Sequence, residues 1–156
     1  MISVDVISDN KLWNKKIKKP HIFFNKIIKS FPKYYQFKKK KINFTVLLAN
    51  NKNIKILNKK FRKKNKPTDI LSFPFEKKLN LRKEVYLGDI IISYEYMNLP
   101  KFLTILDFKK KVIKTFIHGI LHLLEYDHIR LKDFERMNNE EVKIYNLISK
   151  KIEKFI

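Results

Sequence analysis

The chain has 156 residues, no cysteine and a formal charge of +21 at pH 7. This length suits one domain with a sizeable core, and the lack of cysteine excludes disulfides, thiolate metal ligands and a cysteine nucleophile. The charge favours a polyanionic partner only weakly, because 32 of the 36 basic residues are lysine and the chain has the bias of A+T-rich coding. We find no signal-peptide pattern and no apolar run of membrane-spanning length, and therefore expect a cytoplasmic protein without a membrane role.

The N-terminal third predicts a strand, a helix and a second strand. Residues 2–7 alternate apolar and polar side chains, as a half-buried strand does. Residues 20–31 begin with a proline, which is favoured in the first turn of a helix. Residues 42–49 are β-branched and apolar, which predicts the second strand.

The middle of the chain predicts a helix followed by a strand. Asn51 or Asn53 is expected to cap a helix that runs to about Lys64. Its buried stripe is predicted to comprise Ile54, Leu57 and Phe61. Residues 67–75 read as a turn that leads into a strand ending at Pro74, a residue confined to edges or strand ends.

The C-terminal half predicts a strand and three helices. Residues 76–86 are polar and predict a loop, whereas 87–93 predict a strand. The predicted helices are a short one between Tyr94 and Pro100, a long one from Leu106 to about Leu124, and a last one from Asp133, its N-cap, to Phe155. The order predicts an α/β (α+β) fold, a single domain over 1–156 with a small mixed sheet of about four strands packed with helices.

His118, His122 and His128 form the most informative pattern in the chain. His118 and His122 are one helical turn apart, so their rings share a side, roughly 130–170° from the centre of the apolar arc of the long helix. A third histidine after the helix completes three nitrogen ligands, and three protein ligands with one open position are typical of catalytic zinc. Asp127 is expected either to orient a ligand imidazole or to cap the last turn.

The spacing matches the three histidines of the metalloprotease signature His-Glu-x-x-His-x-x-Gly-x-x-His, with two departures. Gly119 replaces the glutamate that acts as general base, and its small size suggests that a neighbouring element approaches closely. Glu125 replaces the glycine of the turn. If its φ is positive, Glu125 carries about 1 kcal/mol of strain.

Three blocks of the sequence resemble the YbeY family of bacterial rRNA maturation factors. The histidine segment 118–128 is similar to the family signature except at Glu125. Phe61-Arg62 with residues 67–75 is similar to the central block of the family, and 87–93 to the strand that follows it. The resemblance runs in order over more than half of the chain.

The resemblance implies one Zn²⁺ held by His118, His122 and His128 in an α/β fold. It also implies a metal-dependent endoribonuclease that matures the 3′ end of 16S ribosomal RNA on the small ribosomal subunit and takes part in ribosome quality control. A ribosomal protein or a GTPase assembly factor is a further candidate partner. Arg62 matches the arginine of the family that is implicated in cleavage, so zinc would activate water while Arg62 binds phosphate.

Two other hypotheses stay open. One is a metallopeptidase-like hydrolase, which suits the histidine spacing but lacks the glutamate at Gly119. The other is a ribosome-assembly factor that binds RNA and whose zinc is structural. A structural zinc differs from a catalytic one in the fourth coordination position, which a structural site fills with a protein atom.

Overall fold

The structure is a computed structural model that describes residues 1–8, 10–101, 103–126 and 131–152. These residues form four β-strands, six α-helices and one 3₁₀ turn. In chain order they are β1 (Ile2–Ser8), α1 (Lys11–Lys16), α2 (Pro20–Lys29), the 3₁₀ turn (Lys33–Tyr35), β2 (Lys41–Ala49), α3 (Asn51–Arg62), β3 (Ile70–Pro74), β4 (Glu84–Ser93), α4 (Tyr94–Met97), α5 (Ile105–Leu123) and α6 (Leu131–Ile152). Among the described helices, none is both long and apolar enough to cross a membrane.

The four strands form one mixed sheet in the order β1-β2-β4-β3. β1 and β4 both run parallel to β2, whereas β3 pairs antiparallel with β4. The predicted α+β fold with a four-stranded mixed sheet is therefore confirmed. β3 is an edge strand that ends at Pro74, as the proline predicts, because proline has no backbone N–H to donate to a neighbouring strand.

Helices cover both faces of the sheet. On one face α2 and α5 pack over the strands, and Phe24, Phe44 and Phe116 are fully buried between them. Burial of each such ring stabilises the fold by about 1.5–3 kcal/mol. On the other face α3 packs on β3 and β4 around Ile54 and Ile91. β3 thus lies between α3 and α5, and residues from both helices meet at this edge of the sheet.

β4 begins earlier than the sequence predicts. Residues 84–86 belong to the strand, not to a loop, and Glu84 pairs with Lys41. Glu84 is exposed and Tyr86 is half-buried, whereas Val85 between them is buried. The hydroxyl of Tyr86 donates a hydrogen bond across the strands to Thr45 Oγ1 over 2.7 Å. Glu84 and Tyr86 lie on the outer side of a half-buried strand, and their polarity is the reason that the sequence predicts a loop here.

Helix α1 was not predicted, and it is anchored by tertiary contacts. Asn10 caps it by accepting a hydrogen bond from the backbone N–H of Leu12. Trp13 is fully buried and donates from Nε1 to the carbonyl of Ala49 over 2.8 Å. A six-residue helix is too short to be stable alone, so this docking of one tryptophan holds it.

Three details of the other helices differ from the predictions. The N-cap of α3 is Asn50, whose side chain accepts from the N–H of Asn53, so neither Asn51 nor Asn53 is the cap. Phe61 is 57% exposed and lies outside the buried stripe of α3. α6 is already helical at Leu131, which places Asp133 inside the first turn instead of at its cap.

Candidate active site

Gly119 sets how closely α5 approaches the sheet. A Cβ atom at this position would lie 2.8 Å from Cδ1 of Ile70 on β3 and 3.1 Å from Cδ1 of Ile90 on β4. The close approach predicted from the small residue is thereby confirmed. A glutamate here would require the side chains of Ile70 and Ile90 to shift, so the close packing at Gly119 disfavours the general base of the metallopeptidase signature.

His118 and His122 face each other on α5, on the side of the helix away from its apolar arc. Their Nε2 atoms are 3.1 Å apart, and their ring planes cross at 76°. Both residues are half-buried, and the His118 side chain is 33% exposed. The predicted common direction of the two rings is confirmed.

Glu141 on α6 contacts the other nitrogen of His118. Its Oε1 lies 2.5 Å from His118 Nδ1. The sequence analysis missed this residue. The sequence did offer an indication, because Glu141 is a single carboxylate within the apolar stripe of α6. The other members of this stripe are buried, namely Met137, Ile144 and Ile148.

His128 and Asp127 lie outside the described residues, so their predicted roles stay predictions. Within residues 1–8, 10–101, 103–126 and 131–152, no group of three or more His, Cys, Asp or Glu side chains is arranged to hold a metal ion. Two of the three predicted ligands are thus brought together by the described part of the chain.

Arg62 reaches the edge of β3 from the last turn of α3. Its Nη2 donates to the carbonyl oxygen of Ser72 over 3.0 Å, and the guanidinium lies 5.7 Å from the ring centre of Phe73. The hydroxyl of Ser72 in turn donates to the carbonyl of Gly119 over 3.4 Å. Ser72 therefore connects Arg62 to the α5 residue that directly follows His118.

An open groove runs beside Arg62 and has a volume of about 510 Å³. It is lined by Phe61, Arg62, Lys64, Ser72, Phe73 and Pro74. The end of α3 that borders this groove also carries Lys59, Lys60 and Lys63. Cations at a helix C-terminus are favoured by the negative end of the helix dipole, so this basic end is compatible with helix stability.

The turn after α5 is a Schellman motif closed by Glu125. The N–H of Tyr126 donates to the carbonyl of Leu121 over 2.9 Å, and the N–H of Glu125 to that of His122 over 3.0 Å. The φ of Glu125 is +68°, so the positive φ considered in the sequence analysis is present. The Glu125 carboxylate also accepts a hydrogen bond from the N–H of Leu79.

Comparisons with known proteins cover nearly the whole chain. The family profile described as endoribonuclease YbeY matches residues 7–149. Endoribonuclease YbeY of Pelagibacter ubique (strain HTCC1062) is 64% identical over 152 residues, which are 97% of this chain and 99% of the relative. Endoribonuclease YbeY of Ehrlichia canis (strain Jake) is 36% identical over 144 residues, covering 92% of this chain and 90% of the relative.

The fold has a solved counterpart. The solution structure of TM1509 from Thermotoga maritima superimposes with a TM-score of 0.58 at 26% identity, and the match covers 99% of this chain and 93% of that protein. The family profile and the named relatives place the protein among the hydrolases, as a nuclease. The chain belongs to the endoribonuclease YbeY family.

Proposed function

We propose that this endoribonuclease depends on one Zn²⁺ bound by His118, His122 and His128, and that it acts on ribosomal RNA. The proposal includes maturation of the 3′ end of 16S rRNA on the small ribosomal subunit and a part in ribosome quality control, in the cytoplasm. The observation that carries it is the pair of Nε2 atoms of His118 and His122, which face each other at 3.1 Å.

The described ligand residues fit a zinc ion. Two imidazole nitrogens bound to one tetrahedral zinc at its usual Zn–N distance are about 3.3 Å apart. The 3.1 Å separation in this chain is close to that value. The outer nitrogen of His118 also has a carboxylate partner, Glu141, as ligand histidines usually have. Zinc bound there would supply Lewis acidity toward water and toward a phosphoryl oxygen.

Arg62 would bind the phosphate at the cleavage site. One Nη2 donor is used by the Ser72 carbonyl, which fixes the guanidinium at the β3 edge. The guanidinium has five N–H donors in a planar fork that suits two phosphate oxygens at once. A cation held in place before substrate arrives stabilises the charge that develops on the phosphoryl group without reorganisation.

The groove beside Arg62 would hold a single RNA strand. Lys64 in its lining and the lysines of the α3 end would supply phosphate contacts. Phe61, at 57% exposure, offers a ring on which a base can stack, and such stacking contributes about 1–3 kcal/mol per base in single-strand binding. An exposed aromatic ring among lysines is the combination that proteins use for single strands without strict sequence preference.

The test is to compare wild-type protein with His122→Ala for metal content and for cleavage of 16S rRNA precursor. We expect the wild type to carry about one zinc per chain and to lose cleavage with a chelator, and His122→Ala to lose metal and cleavage together. Full cleavage by metal-free His122→Ala protein would overturn the proposal. Casein in place of RNA is the control substrate, and we expect no cleavage of it.

A further inference from the structure

Glu141 connects α6 to the proposed metal ligand His118. The helix α6 is held against α5 by Met137 and Ile144, which are 1% and 0% exposed. Glu141 lies on the same stripe, and its side chain is only 27% exposed. Packing of the two apolar neighbours therefore fixes where the carboxylate lies, and this position is 2.5 Å from His118 Nδ1.

A carboxylate at this position selects one form of the imidazole. An ionised glutamate only accepts hydrogen bonds, so His118 Nδ1 must carry the proton that is donated to Oε1. In a neutral imidazole Nε2 then holds the lone pair, and His118 Nε2 is the atom that faces His122. The contact of Glu141 with Nδ1 thus leaves His118 Nε2 unprotonated and directed toward the proposed metal position beside His122.

We propose that Glu141 is a positioning residue that fixes the tautomer and the ring plane of His118 for metal binding. The proposal rests on the proposed function, because it assumes that His118 is a ligand. It gives α6, which follows the predicted ligands in the chain and is remote in sequence only from Arg62, a part in the site. Carboxylate partners of ligand histidines contribute about 10–100-fold to metal affinity or activity.

In a merely structural role, Glu141 would only hold α6 to α5 through a hydrogen bond. The chain supplies a matched control for that role. The preceding residue, Glu140, ties the same helix to the 3₁₀ turn by accepting hydrogen bonds from the hydroxyls of Tyr34 and Tyr35. Glu140→Ala therefore removes an α6 tie without touching His118. Glu141→Ala removes the tie together with the acceptor for His118 Nδ1.

The experiment measures Zn²⁺ affinity by competition with a chromophoric chelator, together with the visible absorption bands of the Co²⁺-substituted protein. We expect Glu141→Ala to bind Zn²⁺ about 10–100-fold more weakly and to shift the Co²⁺ bands. Glu140→Ala should keep the affinity and the spectrum of the wild type. Glu141→Gln should recover most of the affinity, because its amide oxygen accepts from Nδ1. Thermal unfolding of the metal-free proteins records the fold of each variant.

Glu141→Met is the second variant if Glu141→Ala does not fold, since an apolar side chain suits the stripe and cannot replace the acceptor. Equal affinities and spectra for the Glu141 variant and Glu140→Ala, with metal bound in the wild type, would overturn the role of Glu141 alone. A wild-type protein that binds neither Zn²⁺ nor Co²⁺ through its histidines would instead overturn the proposed function.

Discussion

The backbone of Gly119 lies directly against the side chain of Ile70, where a Cβ atom would be 2.8 Å from Cδ1. The contact joins α5, which carries His118 and His122, to β3, which holds Arg62 through Ser72. The packing of Gly119 on Ile70 is therefore one of the contacts that set the separation between the two halves of the candidate site.

Gly119→Ala should lower the free energy of unfolding by about 1 kcal/mol. Overpacking against Ile70 and Ile90 costs about 2 kcal/mol, which exceeds the roughly 1 kcal/mol that alanine gains over glycine in a helix. Ile70→Val removes the Cδ1 atom, so in that background the alanine should cost less, because only the 3.1 Å approach of Ile90 is left. Denaturant unfolding of the wild type, both single variants and the double variant measures the coupling. If the changes in unfolding free energy of the two single variants simply add in the double variant, the contact between Gly119 and Ile70 does not cause the cost of the alanine.

Arg62→Ala should reduce RNA cleavage by about 10²-fold or more while zinc content and fold are kept, because a fixed charge partner of the phosphoryl group is lost. Arg62→Lys keeps the charge but not the planar fork, and should recover only part of the rate. Single-turnover cleavage assays, with elemental analysis of each variant, measure this. If Arg62→Ala cleaved RNA at the wild-type rate, Arg62 would have no part in cleavage, and its role would be limited to the hydrogen bond with Ser72.

Lys64→Ala should weaken RNA binding and make it less dependent on salt. Each phosphate contact on a single strand contributes about 0.7 to the slope of log K against log salt, so the slope should fall by about this amount. Lys29 is the matched control, since it ends α2, which packs on β1 at the opposite edge of the sheet. Titrations of a labelled single strand at several salt concentrations give the slopes. An equal change in both variants would place the RNA elsewhere.

Glu125→Gly should be more stable than Glu125→Ala by about 1 kcal/mol, because only glycine adopts a φ of +68° without strain. Both variants lose the hydrogen bond to the N–H of Leu79, so this loss cancels in the comparison. Thermal or denaturant unfolding of the two proteins measures the difference. Equal stability would mean that the turn relaxes when the side chain is shortened.

Tyr35→Phe should make stability less sensitive to alkaline pH. Burial, followed by hydrogen bonds with Tyr126 and Glu140, raises the pKa of Tyr35 above its ordinary value of 10.0. The unfolded chain then loses the Tyr35 proton as pH rises through 10 while the folded chain keeps it, so stability falls there. Unfolding free energies between about pH 8 and 11 should fall less steeply in Tyr35→Phe than in the wild type. Parallel curves would show that Tyr35 ionises as easily in the folded state.

The sequence by itself determined the helices and strands with strong periodicity. It also determined that the rings of His118 and His122 lie on the same side of α5. The spacing of His118 and His122 requires one turn of helix, and a helix of this length and apolar content forms reliably, so the common direction of the rings followed from local geometry. The end of β3 at Pro74 followed in the same way, because the ring of proline removes a backbone donor and confines the residue to edges or strand ends.

Only the tertiary structure decided which partners these residues meet. Glu141 reaches His118 because the apolar stripe of α6 packs on α5, across 23 positions of sequence. Arg62 reaches Ser72 because α3 packs on β3 and β4, and local patterning does not set on which strands a helix packs. Such contacts depend on the order of strands, and this order is fixed by packing of the whole core and not by the preference of any one segment.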